Sequence, residues 1–248
     1  NDTVYQYTLG TAWDVSTASY ASLFKSVTAQ EANPYGVTFN SDGTKMYIVG
    51  TTNDTVYQYT LGTAWDVSTA SYASLFKSVT AQEANPYGVT FNSDGTKMYI
   101  VGTTNDTVYQ YTLGTAWDVS TASYASLSKS VTAQEVSPVG VTFNSDGSKM
   151  YIVGYTNDTV YQYTLGIAWD VSTANFSVTK TITTNGKALA SAITFNGVGG
   201  AWQLQDALAT TGLGLTLTNG TFDPNVKTVS MTGAGTAAVS GAFSFYNF

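Results

Sequence analysis

A chain of 248 residues with 43% hydrophobic residues is too apolar to be disordered and long enough for one large or two modest domains, each with its own core. The net charge of −7 and the lack of any Lys/Arg cluster argue against nucleic acid as a partner. Without His or Cys, the chain has no Ser/His/Asp or Cys/His catalytic arrangement, no disulfide and no imidazole or thiolate zinc site, and no apolar run predicts a membrane span.

Internal repetition is the main organising feature. Residues 1–52 and 53–104 are identical, residues 105–156 form a third copy, and a fourth copy begins at Asn157 and ends after Ala174. A period of 52 residues indicates one supersecondary unit that packs against copies of itself. The third copy differs from the first two at six positions, namely Ser128, Val136, Ser137, Val139, Ser148 and Tyr155.

Each repeat predicts four short antiparallel strands. Alternating apolar residues and the Asn-Ser-Asp-Gly turn at 40–43 predict a hairpin, and a second turn leads to a third strand and, after a longer connection, a fourth. In the first full set these strands are expected at 36–39, 45–50, 55–61 and 75–79. Four-stranded units at this period are typical of propeller blades, so the fold class is all-β, a β-propeller.

One stretch of the repeat resembles known propeller families. The sequence NPYGVTFNSDGTKMYIVGTTNDTVYQYTL, residues 33–61, is similar to the NHL and YVTN repeats, which read approximately Pro-x-Gly-Val-x-Phe, Asp-Gly, Tyr-Val and Asn-x-x-Val-x-x-Tyr. The resemblance returns at Pro86 and Pro138. It implies a fold rather than one activity, because such propellers include adhesins, scaffolds and enzymes. The repeated AWDVSTASY connection departs from both families.

The blade count leaves ring closure open. The chain supplies two outer strands within 1–28 and three further units that start at Pro34, Pro86 and Pro138, whereas closed propellers have about 4 to 8 blades. One interpretation is that residues 192–204 supply the missing inner hairpin. The alternative is a piece of a longer array whose open blade edges form homo-oligomers.

The C-terminal segment, residues 185–248, differs in kind from the propeller repeats expected over 1–184. Asn-Gly, Asp-Pro-Asn and Gly-Ala-Gly turns separate short apolar strands about every ten residues. This pattern resembles the rungs of parallel β-helices in phage tail and bacterial surface proteins. A small antiparallel sheet is the alternative, and residues 200–212 are long enough for one helical turn.

Repeated glutamates are the first candidate site. Glu31, Glu83 and Glu135 stand in the loop before the innermost strand, which in related propellers lies near the central channel. Three such carboxylates in a ring, with Asn33 and Asn85, have the oxygen ligands that Ca²⁺ prefers, and calcium-dependent lactonases of similar fold use such a cluster. The alternative is that identical repeats place identical solvated charges on a rim.

Repeated aromatic residues are the second candidate site. Trp65 and Trp117, each followed by Asp, are either sugar-stacking platforms or packing residues between blades. Tyr35 and Tyr87 adjoin the glutamate loop and offer a flat face and a hydroxyl to a ligand.

These features favour a non-enzymatic binding or scaffold module, expected to be extracellular, at a cell surface or on a virion, as in a tail fibre or adhesin. The expected partner is a glycan or a protein surface. The alternatives are a calcium-dependent, lactonase-like hydrolase and an intracellular protein-interaction propeller. Near-identical blades weigh against the hydrolase, because an active site needs unlike residues to converge on one substrate.

Overall fold

In a computed structural model the chain divides into two compact units, Asn1–Ala174 and Asn175–Phe248. The structure describes residues 2–176, 178–212, 214–223, 227–231 and 238–240, so the end of the C-terminal segment, 241–248, lies outside it. In the described ranges no helix is long and apolar enough to cross a membrane. The boundary between the units falls ten residues before the one expected from the repeat pattern.

The first unit consists of antiparallel sheets arranged as propeller blades, with 52 residues between equivalent strands. Blade 1 contains β1 (Thr3–Leu9) and β2 (Ala18–Ser26). Blade 2 contains β3 (Pro34–Phe39), β4 (Lys45–Gly50), β5 (Thr55–Leu61) and β6 (Ala70–Ser78). Blade 3 contains β7 (Pro86–Phe91), β8 (Lys97–Gly102), β9 (Thr107–Leu113) and β10 (Ala122–Ser130). Blade 4 contains β11 (Pro138–Phe143), β12 (Lys149–Gly154), β13 (Tyr161–Leu165) and β14 (Ala174–Asn175).

The hairpin between β3 and β4 follows from its turn residues. Gly43 has a φ of +72°, a conformation that glycine adopts without a steric penalty. Asp42 Oδ1 accepts the N–H of Thr44 at 2.9 Å, which closes the turn. A Cβ on Gly43 would lie only 2.3 Å from ring atoms of Trp65, so the glycine also makes room for that ring.

The outermost strand of each complete blade begins earlier than the alternation suggests. In blade 2 the strand starts at Ala70, five residues before Leu75, because a β-bulge divides it. Tyr72 pairs with Tyr59 and Leu75 pairs with Gln58, so two residues between them face no partner. The long connection before this strand holds a short 3-10 helix, Val67–Thr69, which Asp66 caps by accepting the N–H of Ser68 at 3.0 Å.

Neighbouring blades pack through their inner strands. Tyr47 of β4 and Phe91 of β7 have ring centroids 4.4 Å apart, and both belong to one buried cluster that spans blades 2 and 3. The Tyr47 hydroxyl donates to the Trp117 carbonyl at 2.8 Å, and Gln58 Oε1 accepts the N–H of Val119 at 3.1 Å. This blade interface repeats one period later, where Tyr99 bonds the Trp169 carbonyl.

The second unit pairs its strands in parallel. Its strands are β15 (Val178–Ile182), β16 (Ala188–Leu189), β17 (Ile193–Leu204), β18 (Leu208–Thr210), β19 (Gly214–Asp223), β20 (Val229–Met231) and β21 (Ala238–Ser240). One sheet has the order β15-β17-β19-β21 and the other β16-β18-β20. Successive parallel strands in two sheets are the pairing expected of β-helix rungs, and the antiparallel alternative is wrong.

Two local expectations for the second unit are corrected. Residues 193–204 form one continuous strand rather than the inner hairpin of a blade, because β17 pairs in parallel with β15 and with β19. Residues 200–212 contain no helical turn, since they end β17 and form β18. The apolar side chains of these strands instead build the core of the second unit, with Phe195, Leu204 and Leu215 among its buried residues.

Candidate functional site

The repeated glutamates are buried rather than displayed. Glu31 has no exposed surface, and its Oε1 accepts the backbone N–H groups of Asn33 at 2.9 Å and Thr52 at 3.0 Å. Thr52 belongs to the turn between β4 and β5, so the carboxylate joins two loops of one blade. Gly50 makes this possible, since a Cβ there would lie 2.6 Å from Glu31 Cγ.

The same arrangement recurs in the next two copies. Glu83 Oε1 accepts the N–H groups of Asn85 and Thr104, both at 3.0 Å, and is equally buried. Glu135 Oε1 accepts the N–H groups of Ser137 and Thr156, both at 3.0 Å. Bonds from several backbone donors favour the ionised carboxylate, and Glu135 accordingly has a lowered pKa although its burial acts in the opposite direction.

The structure therefore does not bring the three glutamates together as a calcium ring. Each carboxylate is engaged with backbone donors of its own blade, and among the described residues no three Asp, Glu, His or Cys side chains are grouped to hold a metal ion. These residues do not fit one shared calcium ion. Solvated rim charges do not describe them either, because their side chains have no exposed surface.

Two aspartates lie close enough to the repeated glutamates for those charges to act on them. Burial raises the pKa of Asp54, and the neighbouring charges of Glu31 and Glu83 raise it further. Asp106 has a raised pKa for the same reasons, with Glu83 and Glu135 beside it. One buried oxygen of each of Glu31, Asp54, Glu83 and Asp106 has no hydrogen-bond partner.

The two candidate asparagines lie at the protein surface, in the loops that contain the buried glutamates. Asn33 and Asn85 are exposed, and their backbone N–H groups bind the glutamates. The Asn85 side chain also donates to Thr104 Oγ1 at 3.0 Å. A shallow depression of about 290 Å³ lies beside Asn33, and it is lined by Asp2, Thr3, Asn33, Pro34 and Tyr35.

Three tyrosines from three successive blades form a ladder on the same face. The rings of Tyr35 and Tyr87 have centroids 4.3 Å apart, and the ring of Tyr155 meets Tyr87 edge-on at 6.0 Å. Tyr35 is 53% exposed and Tyr155 is 62% exposed. This tyrosine ladder is a continuous aromatic surface open to solvent.

Tyr155 was not among the candidates predicted from sequence. The third copy has Val139 where the first two have Tyr35 and Tyr87, which suggests the loss of an aromatic residue from this face. Tyr155 instead stands where the other copies have threonine, and its ring takes the place beside Tyr87. In the third copy the strand position therefore has valine and the neighbouring turn has tyrosine, and the row of three aromatic rings is still complete. The sequence could have pointed to Tyr155, because it is one of the six positions at which the third copy differs from the first two.

The repeated tryptophans act in packing. The N–H of Trp65 donates to the Gly43 carbonyl at 2.9 Å, and its ring lies 5.6 Å from that of Phe39. Trp117 repeats this arrangement one period later and also packs against the buried cluster shared by blades 2 and 3. Its carbonyl accepts the Tyr47 hydroxyl of the preceding blade. These contacts support the interpretation as packing residues.

Comparisons with known proteins concern the fold alone. No protein-family model matches the chain, and no curated protein matches it either. A protein from Bacteroides uniformis that is provisionally assigned as a 6-phosphogluconolactonase is 13% identical, with a TM-score of 0.47 over 68% of this chain and 49% of that chain. A protein from Lactobacillus plantarum is 15% identical, with a TM-score of 0.43 over 70% of this chain and 51% of that one. The β-propeller domain of Cps50 (Swd1) from Myceliophteria thermophila is 13% identical, with a TM-score of 0.39 over 56% of this chain and 42% of that one.

These comparisons show a distant structural similarity and no more, and the first unit is classified as a β-propeller from its own repeated sheets. The chain spans about half the length of the solved structures that it matches best among these, 49% and 51%. The four-stranded antiparallel sheets agree with this classification.

Proposed function

We propose that the first unit is a binding module that holds a glycan against the tyrosine ladder. The observation that carries the proposal is the position of Tyr155, which restores an aromatic ring beside Tyr87 in the one copy that lacks the strand tyrosine. If the strand tyrosine contributed only to its own blade, its loss would not require a new tyrosine in a different loop. A ligand that spans several blades needs the continuous surface.

The chemistry of this face suits a sugar chain. Sugar rings present flat C–H faces that stack on aromatic rings, and a tyrosine adds a hydroxyl for hydrogen bonding at a small entropic cost. Tyr35 and Tyr87 together give an aromatic surface longer than one ring, with the exposed Asn33 and the partly buried Asp2 beside it. An extended, neutral and hydroxyl-rich chain fits such a surface better than a compact charged ligand does.

The hydrolase alternative has less support from the arrangement of acidic groups. A lactonase-type site needs carboxylates that converge on one substrate. Glu31, Glu83 and Glu135 are buried and hold backbone N–H groups in separate loops. We therefore favour a non-enzymatic role, and we propose that the module acts in a surface or virion protein such as an adhesin or tail fibre, where repeated blades raise avidity.

An array of immobilised oligosaccharides, probed with the whole chain, tests the proposal. We expect retention on a subset of neutral glycans, and we expect Tyr87→Ala to weaken the best interaction at least about tenfold, since an aromatic residue at the centre of a site commonly contributes more than 1.4 kcal/mol.

Tyr20→Ala is the matched control, because Tyr20 is 45% exposed on β2 and lies outside the ladder. Equal losses in both variants, or no retention of the wild-type chain on any glycan, would overturn the proposed function. Circular dichroism of both variants separates a loss of binding from a loss of fold.

A further inference from the structure

Tyr35 and Tyr87 form a closer pair than the tyrosines that meet inside a single blade. Their ring centroids are 4.3 Å apart, with 44° between the ring planes. Inside blade 2 the centroids of Tyr59 and Tyr72 are 5.7 Å apart, and Tyr57 meets Tyr72 edge-on at 6.0 Å. The centroids of Tyr35 and Tyr87 are about as far apart as those of two benzene rings joined by a carbon–carbon bond. Such a bond therefore requires the rings to turn rather than to approach.

The hydroxyl groups of this pair lie near each other. Burial raises the pKa of Tyr87, and the neighbouring Tyr35 side chain raises it further through its charge and its hydroxyl group. Oxidised phenols couple at the ring carbons next to the hydroxyl group, the ortho carbons. Because the two hydroxyl groups are close, the ortho carbons of both rings lie in the same region.

The backbone of the innermost strands holds the two rings in place. Tyr35 lies on β3 and Tyr87 lies on β7, and these strands pair with β4 and β8 of their own blades. A Cβ on Gly36 would lie 2.6 Å from the Tyr87 carbonyl oxygen, so this glycine allows the two strands to approach closely. Groups held in this way react far more readily than groups that must first collide.

The next blade interface has the same backbone contact without the second tyrosine. A Cβ on Gly88 would lie 2.9 Å from the Val139 carbonyl oxygen, but the side chain at this position is valine. Tyr155 meets Tyr87 edge-on instead, with an angle of 86° and centroids 6.0 Å apart. The tyrosine ladder therefore contains one pair that is placed for coupling, Tyr35 with Tyr87, and one pair that is not.

We propose that Tyr35 and Tyr87 are a site of oxidative cross-linking, at which a haem peroxidase with hydrogen peroxide joins the two rings as dityrosine. Each phenol loses one electron and its hydroxyl proton and becomes a phenoxyl radical. The two radicals form a bond between their ortho carbons, and the hydrogen on each of these carbons moves to the oxygen of its own ring. Both hydroxyl groups are thereby restored. The two electrons and two protons that leave reduce one hydrogen peroxide molecule to two water molecules.

The cross-link is a covalent bond between blades 2 and 3. Residues 35 and 87 are one repeat apart, so the bond closes a loop of the chain that contains most of blade 2. Closing such a loop restricts the unfolded chain, as a disulfide does, and so stabilises the folded state. The proposal is independent of glycan binding, because the bond forms without a ligand.

The identical repeats make the product easy to recognise. Trypsin releases residues 26–45 and 78–97, which have the same sequence and contain one tyrosine each, Tyr35 or Tyr87. In a monomeric chain, two of these peptides joined to each other arise only from this pair. The product has twice the mass of the peptide less two hydrogen atoms.

The test oxidises the dilute whole chain with a haem peroxidase and hydrogen peroxide, and the monomer is isolated under denaturing conditions before digestion. We expect the linked peptide from the folded chain and its loss when the oxidation is done in urea, where the fold no longer holds the rings together. Absence of the linked peptide from the folded monomer, under conditions that convert free tyrosine to dityrosine, would overturn the proposal. An equal yield in urea would overturn it as well.

Two variants test whether the strand position decides the reaction. Val139→Tyr places a tyrosine beside Tyr87 across the equivalent backbone contact, and we expect a second linked product, of residues 78–97 with residues 130–149. Its mass differs from that of the first product, because the two peptides differ in sequence. Tyr57→Phe is the control within blade 2, and we expect it to leave the first product unchanged. Loss of the first product in Tyr57→Phe, or no second product in Val139→Tyr, would contradict the proposal.

Discussion

The first and second copies of the repeat have the same 52 residues in two different environments. In the first copy Trp13 and Tyr7 are open to solvent, and in the second copy Trp65 packs on Gly43 and Tyr59 is buried. The comparison shows that burial in this protein is a property of neighbouring blades rather than of the repeat. A residue of the first copy is thus an internal control for its equivalents in later copies.

Substitution of the repeated tryptophans should give the largest difference in stability between equivalent residues. Trp117→Ala is expected to lower the free energy of unfolding by about 2–4 kcal/mol, because it removes an aromatic side chain from the interface of blades 2 and 3. Trp13→Ala is expected to change it by less than about 0.5 kcal/mol, as is typical of an exposed site.

Urea denaturation of both tryptophan variants measures the difference directly. The assignment of the tryptophans to packing would be contradicted by equal effects. A loss of glycan retention without a loss of stability in Trp117→Ala would restore the interpretation as a sugar-stacking platform.

The repeated glutamine gives a smaller contrast at the same interface. Gln110 Oε1 accepts the N–H of Val171 at 3.1 Å in a buried position, whereas the equivalent Gln162 is exposed. Gln110→Ala should cost about 1–3 kcal/mol because a buried N–H is left without an acceptor. Gln162→Ala should be nearly neutral, and thermal unfolding of the pair checks this. A destabilisation of the same size in both would show that the interface does not depend on this bond.

Two aspartates of blade 3 should respond to pH in opposite ways. Burial and nearby acidic charges raise the pKa of Asp106, so its contribution to stability is lost as the pH rises above the unfolded value of 3.8. Hydrogen bonds from Thr96 lower the pKa of Asp94, so its contribution is present above that value and is lost as the pH falls below it.

Melting temperatures between pH 2.5 and pH 7, a range of about 4.5 units chosen to bracket the ordinary carboxyl pKa, separate the two aspartates. Asp106→Asn should raise the melting temperature slightly near pH 7 and leave it unchanged at the acidic end. Asp94→Asn should reduce the loss of stability on acidification. Curves parallel to the wild type in both variants would contradict the assigned pKa directions.

The sequence predicted the strands of the blades closely because alternation and the Asp-Gly turns act locally. It missed the start of the outermost strand, because the bulge depends on Ser74 at a φ of +59°. A positive φ is usually signalled by glycine, and the sequence has serine at this position. The sequence also did not predict that Glu31 is buried. A carboxylate is expected at the surface, and its burial depends on the backbone donors of Asn33 and Thr52, which only the fold brings to it. Tyr155 was missed for a related reason, since its contact with Tyr87 joins two blades.

The proposed glycan would contact tyrosines of three successive blades at once. A series of variants that removes and then restores one of these tyrosines tests this most directly. Calorimetric titration with the best oligosaccharide of the array would compare the wild type, Tyr155→Thr, and Tyr155→Thr with Val139→Tyr. The double variant returns both positions to the residues of the first two copies. We expect Tyr155→Thr to weaken binding about tenfold, and we expect the double variant to recover it. Unchanged affinity in Tyr155→Thr, or no recovery in the double variant, would contradict the claim that the ladder is the binding surface.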